Sequence, residues 1–77
     1  MSEYEVKVDA RMFQPKDKHP VIFDAFLNLK SSQKMELTND HDPKPLYYQM
    51  SAEYPDTFDW EYLEEGPEVW KVAITKK

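Results

Sequence analysis

Cysteine is absent from this 77-residue chain, and glycine occurs once, at Gly66. Without a thiol the chain forms no disulfide, no thiolate zinc site and no covalent cysteine intermediate. A single glycine excludes the glycine-rich loops that hold phosphates in nucleotide-binding proteins. No apolar run approaches the roughly 18 residues of a membrane span, and the N-terminus lacks the apolar core of a signal peptide. We therefore expect a cytoplasmic protein that does not associate with membranes.

Aromatic residues are plentiful, at 14% of the chain, and offset a hydrophobic fraction of 40%. Each aromatic side chain buries a large apolar area, and disordered chains contain few of them. The length is that of one domain. We predict a single folded domain over residues 1–77, with its core at about residues 4–75.

The negative charge is concentrated in one segment. The chain carries a net charge of -5, and residues 53–68 contain seven acidic residues and no basic one. An acidic surface repels phosphate backbones, so nucleic-acid binding is not expected. Within the segment the acids alternate with Phe58, Trp60 and Tyr62. Two interpretations remain open: a solvated strand face that keeps the domain soluble, or an acidic docking patch for a basic partner.

Hydrophobic periodicity predicts the order β-α-β-α-β-β. Alternating patterns predict strands at residues 4–9, 35–39, 58–63 and 68–75. Helical spacing predicts one helix that starts at Pro20 and runs to about Asn28, and a second from the Asp42-Pro43 pair to Tyr54. Because the strands alternate, one sheet face is covered, which gives an α+β two-layer sandwich with both helices on that face. Right-handed crossovers make strands one to three parallel, and the short last turn makes strand four antiparallel to strand three.

Polar residues cluster where strands one and two end. Parallel strands bring both following loops to the same edge of the sheet, where ligands commonly bind in open α/β folds. Both histidines of the protein fall in these loops, beside the predicted helix starts. The candidate site residues in the two loops are Asp9, Arg11, His19, Asn39, Asp40, His41, Asp42 and Lys44.

Three interpretations of this edge compete. In a structural one, Asp42 caps the second helix, Asp9 and Arg11 pair, and the histidines are surface residues. In a metal site, His19, His41 and either Asp40 or Asp42 form a two-histidine, one-carboxylate set. In a binding site, Arg11, Lys44 and two helix N-termini hold a small anion or a partner's carboxylate. Catalysis is the least supported use, because no nucleophile accompanies His41.

Four segments carry a family resemblance: residues 8–11 (VDAR), 18–26 (KHPVIFDAF), 39–49 (NDHDPKPLYYQ) and 60–70 (WEYLEEGPEVW). They resemble the uncharacterised bacterial domain family 2249 over about residues 6–75. That family is similar in fold to the TusA/SirA sulfur carriers, which implies the same two-layer sandwich. Its members also occur joined to hemerythrin-like and metal–sulfur-assembly-type domains, which implies metal, redox or nitrogen-oxide contexts.

The chain departs from the sulfur carriers at their reactive residue. Those proteins have a Cys-Pro pair at the start of helix one, and the matching pair here is His19-Pro20, so persulfide relay is impossible. A second departure is Ser31-Ser32-Gln33, where the family often has a Pro-Gly turn. The resemblance and the loop residues together predict a non-enzymatic accessory domain, a monomer or weak dimer, that binds a protein partner or small anion at this edge. The alternative is a redox accessory in which His19 and His41 bind a metal ion or haem.

Overall fold

The computed structural model describes residues 4–77, so the first three residues of the predicted domain lie outside the described residues. Its strands are β1 (Val6–Asp9), β2 (Lys34–Asn39), β3 (Phe58–Glu65) and β4 (Trp70–Lys76). Its helices are α1 (Pro15–Leu27) and α2 (Lys44–Glu53), and a 3₁₀ turn at Ala10–Met12 precedes α1. The predicted β-α-β-α-β-β order is confirmed. No helix in residues 4–77 combines the length and the apolarity that a membrane crossing needs.

The four strands form one mixed sheet in the order β1-β2-β4-β3. Strands β1 and β2 are parallel, while β4 runs antiparallel to both of its neighbours. These directions are the predicted ones. The finding that the sequence did not show is the position of β4 between β2 and β3. The burial of the two strands explains it: Val72, Ala73 and Ile74 are all buried, as a central strand requires, whereas the acidic strand β3 suits an edge.

The core lies between one face of this sheet and the two helices. Strand register places apolar side chains in rows across that face, one of them running through Val8, Leu37 and Val72. Ile22 and Phe26 of α1 and Leu46 and Met50 of α2 close the core from the helix side. The two-layer α+β sandwich predicted from alternating strands is therefore the observed fold.

Helix α1 starts five residues earlier than predicted. It begins at Pro15, so Pro20 lies inside the helix and His19 lies in its second turn. Pro15 takes the first-turn position that suits proline, the position that the prediction gave to Pro20. Pro20 removes the N–H that would bond to the carbonyl of Lys16, an exposed residue whose carbonyl water can solvate. The prediction that His19 stands at a helix N-terminus is wrong.

Candidate functional site

The loops after β1 and β2 lie at the same edge of the sheet, which we call the loop edge (residues 9–19 and 39–44). Parallel pairing sets Asp9 opposite Thr38, one residue before the end of β2. The pKa of the Arg11 guanidinium in the first loop is raised mainly by its hydrogen bond to Asp9, and the charge of Asp40 in the second loop raises it further. Lys18 and His19 also line a common cavity with Asn39 and His41 of the second loop. The predicted convergence of the two loops is therefore observed.

Asp9 and Arg11 neutralise each other. The guanidinium donates to both carboxylate oxygens of Asp9, at 2.9 and 2.8 Å, and the Arg11 backbone N–H also donates to Oδ1 at 3.0 Å. The side-chain hydrogen bond from Arg11 lowers the pKa of Asp9 below its usual range. This carboxylate occupies one edge of the guanidinium and neutralises its charge, which weakens the attraction of Arg11 for an external anion.

Asp42 serves the start of α2 and also contacts β3. Its Oδ1 accepts the backbone N–H of Lys44, the first residue of α2, at 3.1 Å, although the cap position itself is held by Pro43. The same oxygen accepts the hydroxyl of Tyr62 at 2.8 Å. Burial raises the pKa of the Tyr62 phenol, and the Asp42 carboxylate raises it further. The sequence indicated the bond near the helix start but gave no sign of the one to β3.

His19 and His41 line one small cavity of ≈ 60 Å³, which we call the histidine pocket. Lys18, which the sequence prediction omitted, and Asn39 supply its other polar walls, and its apolar walls are Ile22, Pro43, Pro45 and Leu46. The cavity has room for a carboxylate-sized group or about two water molecules. Of the eight predicted site residues, His19, Asn39 and His41 thus meet in one cavity.

Hydrogen bonds around the pocket fix two of its residues. His41 Nδ1 lies 2.6 Å from Asp40 Oδ1, and this contact lowers the pKa of the Asp40 carboxyl. Asn39 is buried, and its Oδ1 accepts the N–H of Asp40 at 3.0 Å. The Asp40 contact leaves Nε2 as the remaining polar atom of the His41 ring. His19 packs edge-on against Phe23, one turn further along α1, with 6.0 Å between ring centroids.

The described part of the chain contains no cluster of three or more His, Cys, Asp or Glu side chains that could hold a metal ion. Of the two carboxylates considered for the predicted metal set, Asp42 is engaged by Tyr62 and by the backbone of Lys44, and Asp40 contacts Nδ1 of His41. The two imidazoles in the histidine pocket are therefore the part of the predicted metal set that shares a cavity.

A larger concave surface, which the sequence did not assemble, lies between α2 and β3. This aromatic groove has a volume of ≈ 540 Å³, and its aromatic walls are Tyr47, Tyr48, Phe58, Trp60 and Tyr62. The ring of Tyr47 lies edge-on to Trp60, with 5.2 Å between centroids, and contacts Phe58 as well. The buried indole N–H of Trp60 lies beside the Tyr62 hydroxyl but does not meet the geometry of a hydrogen bond. In the sequence, the alternation of acidic and aromatic residues in β3 indicated one wall of this groove. The other wall, formed by α2, was not predicted.

The fold and these surfaces define a small two-layer α+β domain with a loop-edge cavity and an aromatic groove. The model of an uncharacterized conserved protein family, DUF2249, matches residues 7–76, and the chain belongs to that family. No curated protein and no solved structure matches the chain. The family prediction is confirmed, while similarity to the sulfur-carrier fold stays a prediction.

Proposed function

We propose that this chain is a non-enzymatic accessory domain that binds an acidic group of a protein partner, or a small anion, in the histidine pocket. The observation that carries the proposal is the shared cavity of His19, His41 and Lys18. Lys18 supplies positive charge at neutral pH, and protonation of either imidazole adds more. Arg11 and Lys44, also candidates for this role, are absent from the pocket walls, and Arg11 is already paired.

The local charge explains why a weak, pH-dependent interaction is expected. At the loop edge four acidic residues balance four basic ones, so net positive charge requires protonation of the histidines; the eight are Asp9, Asp17, Asp40, Asp42, Arg11, Lys16, Lys18 and Lys44. Binding of a carboxylate should therefore strengthen as the pH falls through the range in which imidazoles titrate. Asn39 can donate a hydrogen bond to the carboxylate from its side-chain NH2 group, because its Oδ1 already accepts the N–H of Asp40.

Acetate is a suitable probe, because it presents one carboxylate and fits the cavity volume. We expect saturable NMR shifts at His19, His41 and Asn39 on titration with sodium acetate, stronger at pH 5.5 than at pH 8. Lys18→Gln should weaken binding severalfold, whereas Lys30→Gln, the same change at an exposed turn, should not. Shifts that sodium chloride reproduces, or that persist unchanged in Lys18→Gln, would contradict the proposal.

A second candidate is a redox accessory domain that binds a metal ion or haem through His19 and His41. The specific observation in its favour is that both imidazoles line the same cavity. We expect zinc or haem titrations to show binding to the wild-type protein and loss of binding in the His19→Ala/His41→Ala double variant. Equal loading of the two proteins would rule this candidate out.

A further inference from the structure

Strand β3 has a free backbone edge. Within the sheet of residues 4–77 it pairs with β4 alone. Hydrogen bonds at the start of β3 show which of its backbone groups are used: Lys77 donates its N–H to the carbonyl of Thr57, while the N–H and carbonyl of Lys76 bond to the turn before β2. The Thr57–Lys77 pair is therefore hydrogen-bonded across the hairpin, and the next pair is not.

Because bonded and unbonded residues alternate along an antiparallel pair, this register identifies the free groups of β3. Asp59 and Glu61 direct their N–H and C=O groups to β4, opposite Thr75 and Ala73. The residues whose backbone groups point away from the sheet are the aromatic ones: Phe58, Trp60 and Tyr62.

A strand added along this edge would meet a different surface on each face. Side chains on its inner face would enter the aromatic groove beside Tyr47 and Trp60. Side chains on its outer face would lie next to Asp59 and Glu61, which are both exposed; the Asp59 carboxylate also lies 3.6 Å from Nζ of Lys77. Since side chains of a strand alternate between faces, the best occupant alternates apolar and basic residues.

We propose that β3 binds an extended, basic segment of a protein partner as an added strand, with its apolar residues in the aromatic groove. Main-chain bonds to Phe58, Trp60 and Tyr62 would supply affinity, and the acidic outer face would select positive charge. This surface shares no lining residue with the histidine pocket. The proposal can therefore be tested independently of the function proposed for that pocket.

Charge argues against a second copy of this chain as the occupant. Two β3 strands side by side would bring Asp59 and Glu61 against the same residues of the other copy, and like charges across strands are destabilising. The same acids also protect an edge strand from self-association. A basic partner turns that repulsion into attraction.

The test uses an acetylated, amidated heptapeptide of alternating lysine and valine, with an alternating glutamate–valine peptide as its matched opposite. We expect the lysine peptide to slow amide hydrogen exchange at Phe58, Trp60 and Tyr62. The amides of Asp59 and Glu61, already bonded to β4, should change little. The glutamate peptide should leave all five amides unchanged.

A charge-reversal pair tests the electrostatic part. Glu61→Lys should weaken binding of the lysine peptide roughly three- to tenfold, since an attraction becomes a repulsion. Asp24→Lys makes an equal charge change on the exposed face of α1 and should leave the affinity unchanged. Equal binding of both peptides, protection away from β3, or no protection by either peptide would overturn the proposal. Concentration-dependent protection of the three amides without peptide would also overturn it, because a second copy would then be the occupant.

Discussion

Tyr62 joins the two candidate surfaces, because its ring lines the aromatic groove while its hydroxyl donates to Asp42 at the loop edge. We expect Tyr62→Phe to lower the free energy of unfolding by about 1 kcal/mol, the usual net loss for one hydrogen bond. Tyr48→Phe is the matched control, because Tyr48 is exposed and the loss of its hydroxyl should not measurably change the free energy of unfolding. Urea denaturation of the three proteins checks this, and equal losses in both variants would contradict it.

The raised pKa of the Tyr62 phenol also predicts that the stability of the protein changes at alkaline pH. That pKa lies above the ordinary 10.0 because burial and Asp42 disfavour the phenolate. A raised pKa means that the contribution of Tyr62 is complete below pH 10 and declines as the pH rises through the folded-state value. The stability gap between wild type and Tyr62→Phe should therefore narrow above pH 10. A gap that stays constant from pH 8 to pH 11 would show that Tyr62 ionises normally.

The contribution of Asp9 to stability depends on pH in the opposite direction and is lost at acidic pH. The pKa of Asp9 is lowered by the hydrogen bond from the Arg11 side chain, so its contribution is present above the ordinary value of 3.8 and is lost as the pH falls through the lower folded-state value. Asp9→Asn should cost about 0.5 kcal/mol at pH 7, because both partners are partly exposed. Denaturation at pH 7 and at acidic pH should show this cost shrink as the pH falls, and an equal cost at both pH values would contradict the prediction.

Sequence separation decides which of these residue contacts could be foreseen. Asp9 with Arg11 and Asp42 with Lys44 lie two residues apart, so their bonds follow from local geometry. Tyr62 and Asp42 lie 20 residues apart, and their bond depends on where β3 settles in the sheet. Lys18 was missed for a related reason: it reaches the histidine pocket because α1 begins at Pro15.

Among the elements, the turn between β3 and β4 depends on its glycine. Gly66 has φ +47°, and a Cβ there would lie 2.8 Å from the indole of Trp70. We expect Gly66→Ala to destabilise the protein by roughly 1–3 kcal/mol, combining a left-handed backbone cost with the clash. The same change in a Trp70→Phe background should cost less, because the smaller phenylalanine ring lacks the indole nitrogen and the fused ring that carries Cζ2. Equal costs in both backgrounds would show that the clash is relieved without strain.

The turn before β2 offers the reverse change. Ser32 has φ 72°, a conformation that favours glycine. Its backbone N–H donates to the carbonyl of Lys76, so the turn is fixed by a bond that glycine would keep. Ser32→Gly should therefore stabilise the protein by about 0.5 kcal/mol. Ser31→Gly, one residue earlier and without positive φ, should destabilise it, and thermal denaturation distinguishes the two.

At the scale of the whole molecule, element types followed from periodicity and strand directions from the handedness of crossovers, whereas the order of the strands in the sheet followed from neither. Inserting β4 between β2 and β3 changes no hydrophobic pattern, yet it makes β3 an edge strand. The aromatic groove follows from that placement, since α2 and the edge of β3 form its two walls. The unpaired backbone edge of β3 is thus a consequence of the strand order. The acidic residues that alternate with aromatic ones in the sequence lie on this edge strand, which the sequence pattern alone did not show.

Phe26 connects the layers into one cooperative unit. Its buried ring contacts Tyr54 after α2 and Phe58 on β3, and the Nζ of Lys76 on β4 lies 5.5 Å from its centroid. Removing the ring leaves a cavity against several elements at once, so Phe26→Ala should cost about 3–5 kcal/mol, a large share of the stability of a domain this small. Phe13→Ala, at a ring 39% exposed, should cost far less. In Phe26→Ala, the unfolding transitions followed by far-ultraviolet dichroism and by tryptophan fluorescence should coincide, because α1, β3 and β4 meet at this ring. Separate transitions would show that the layers unfold independently.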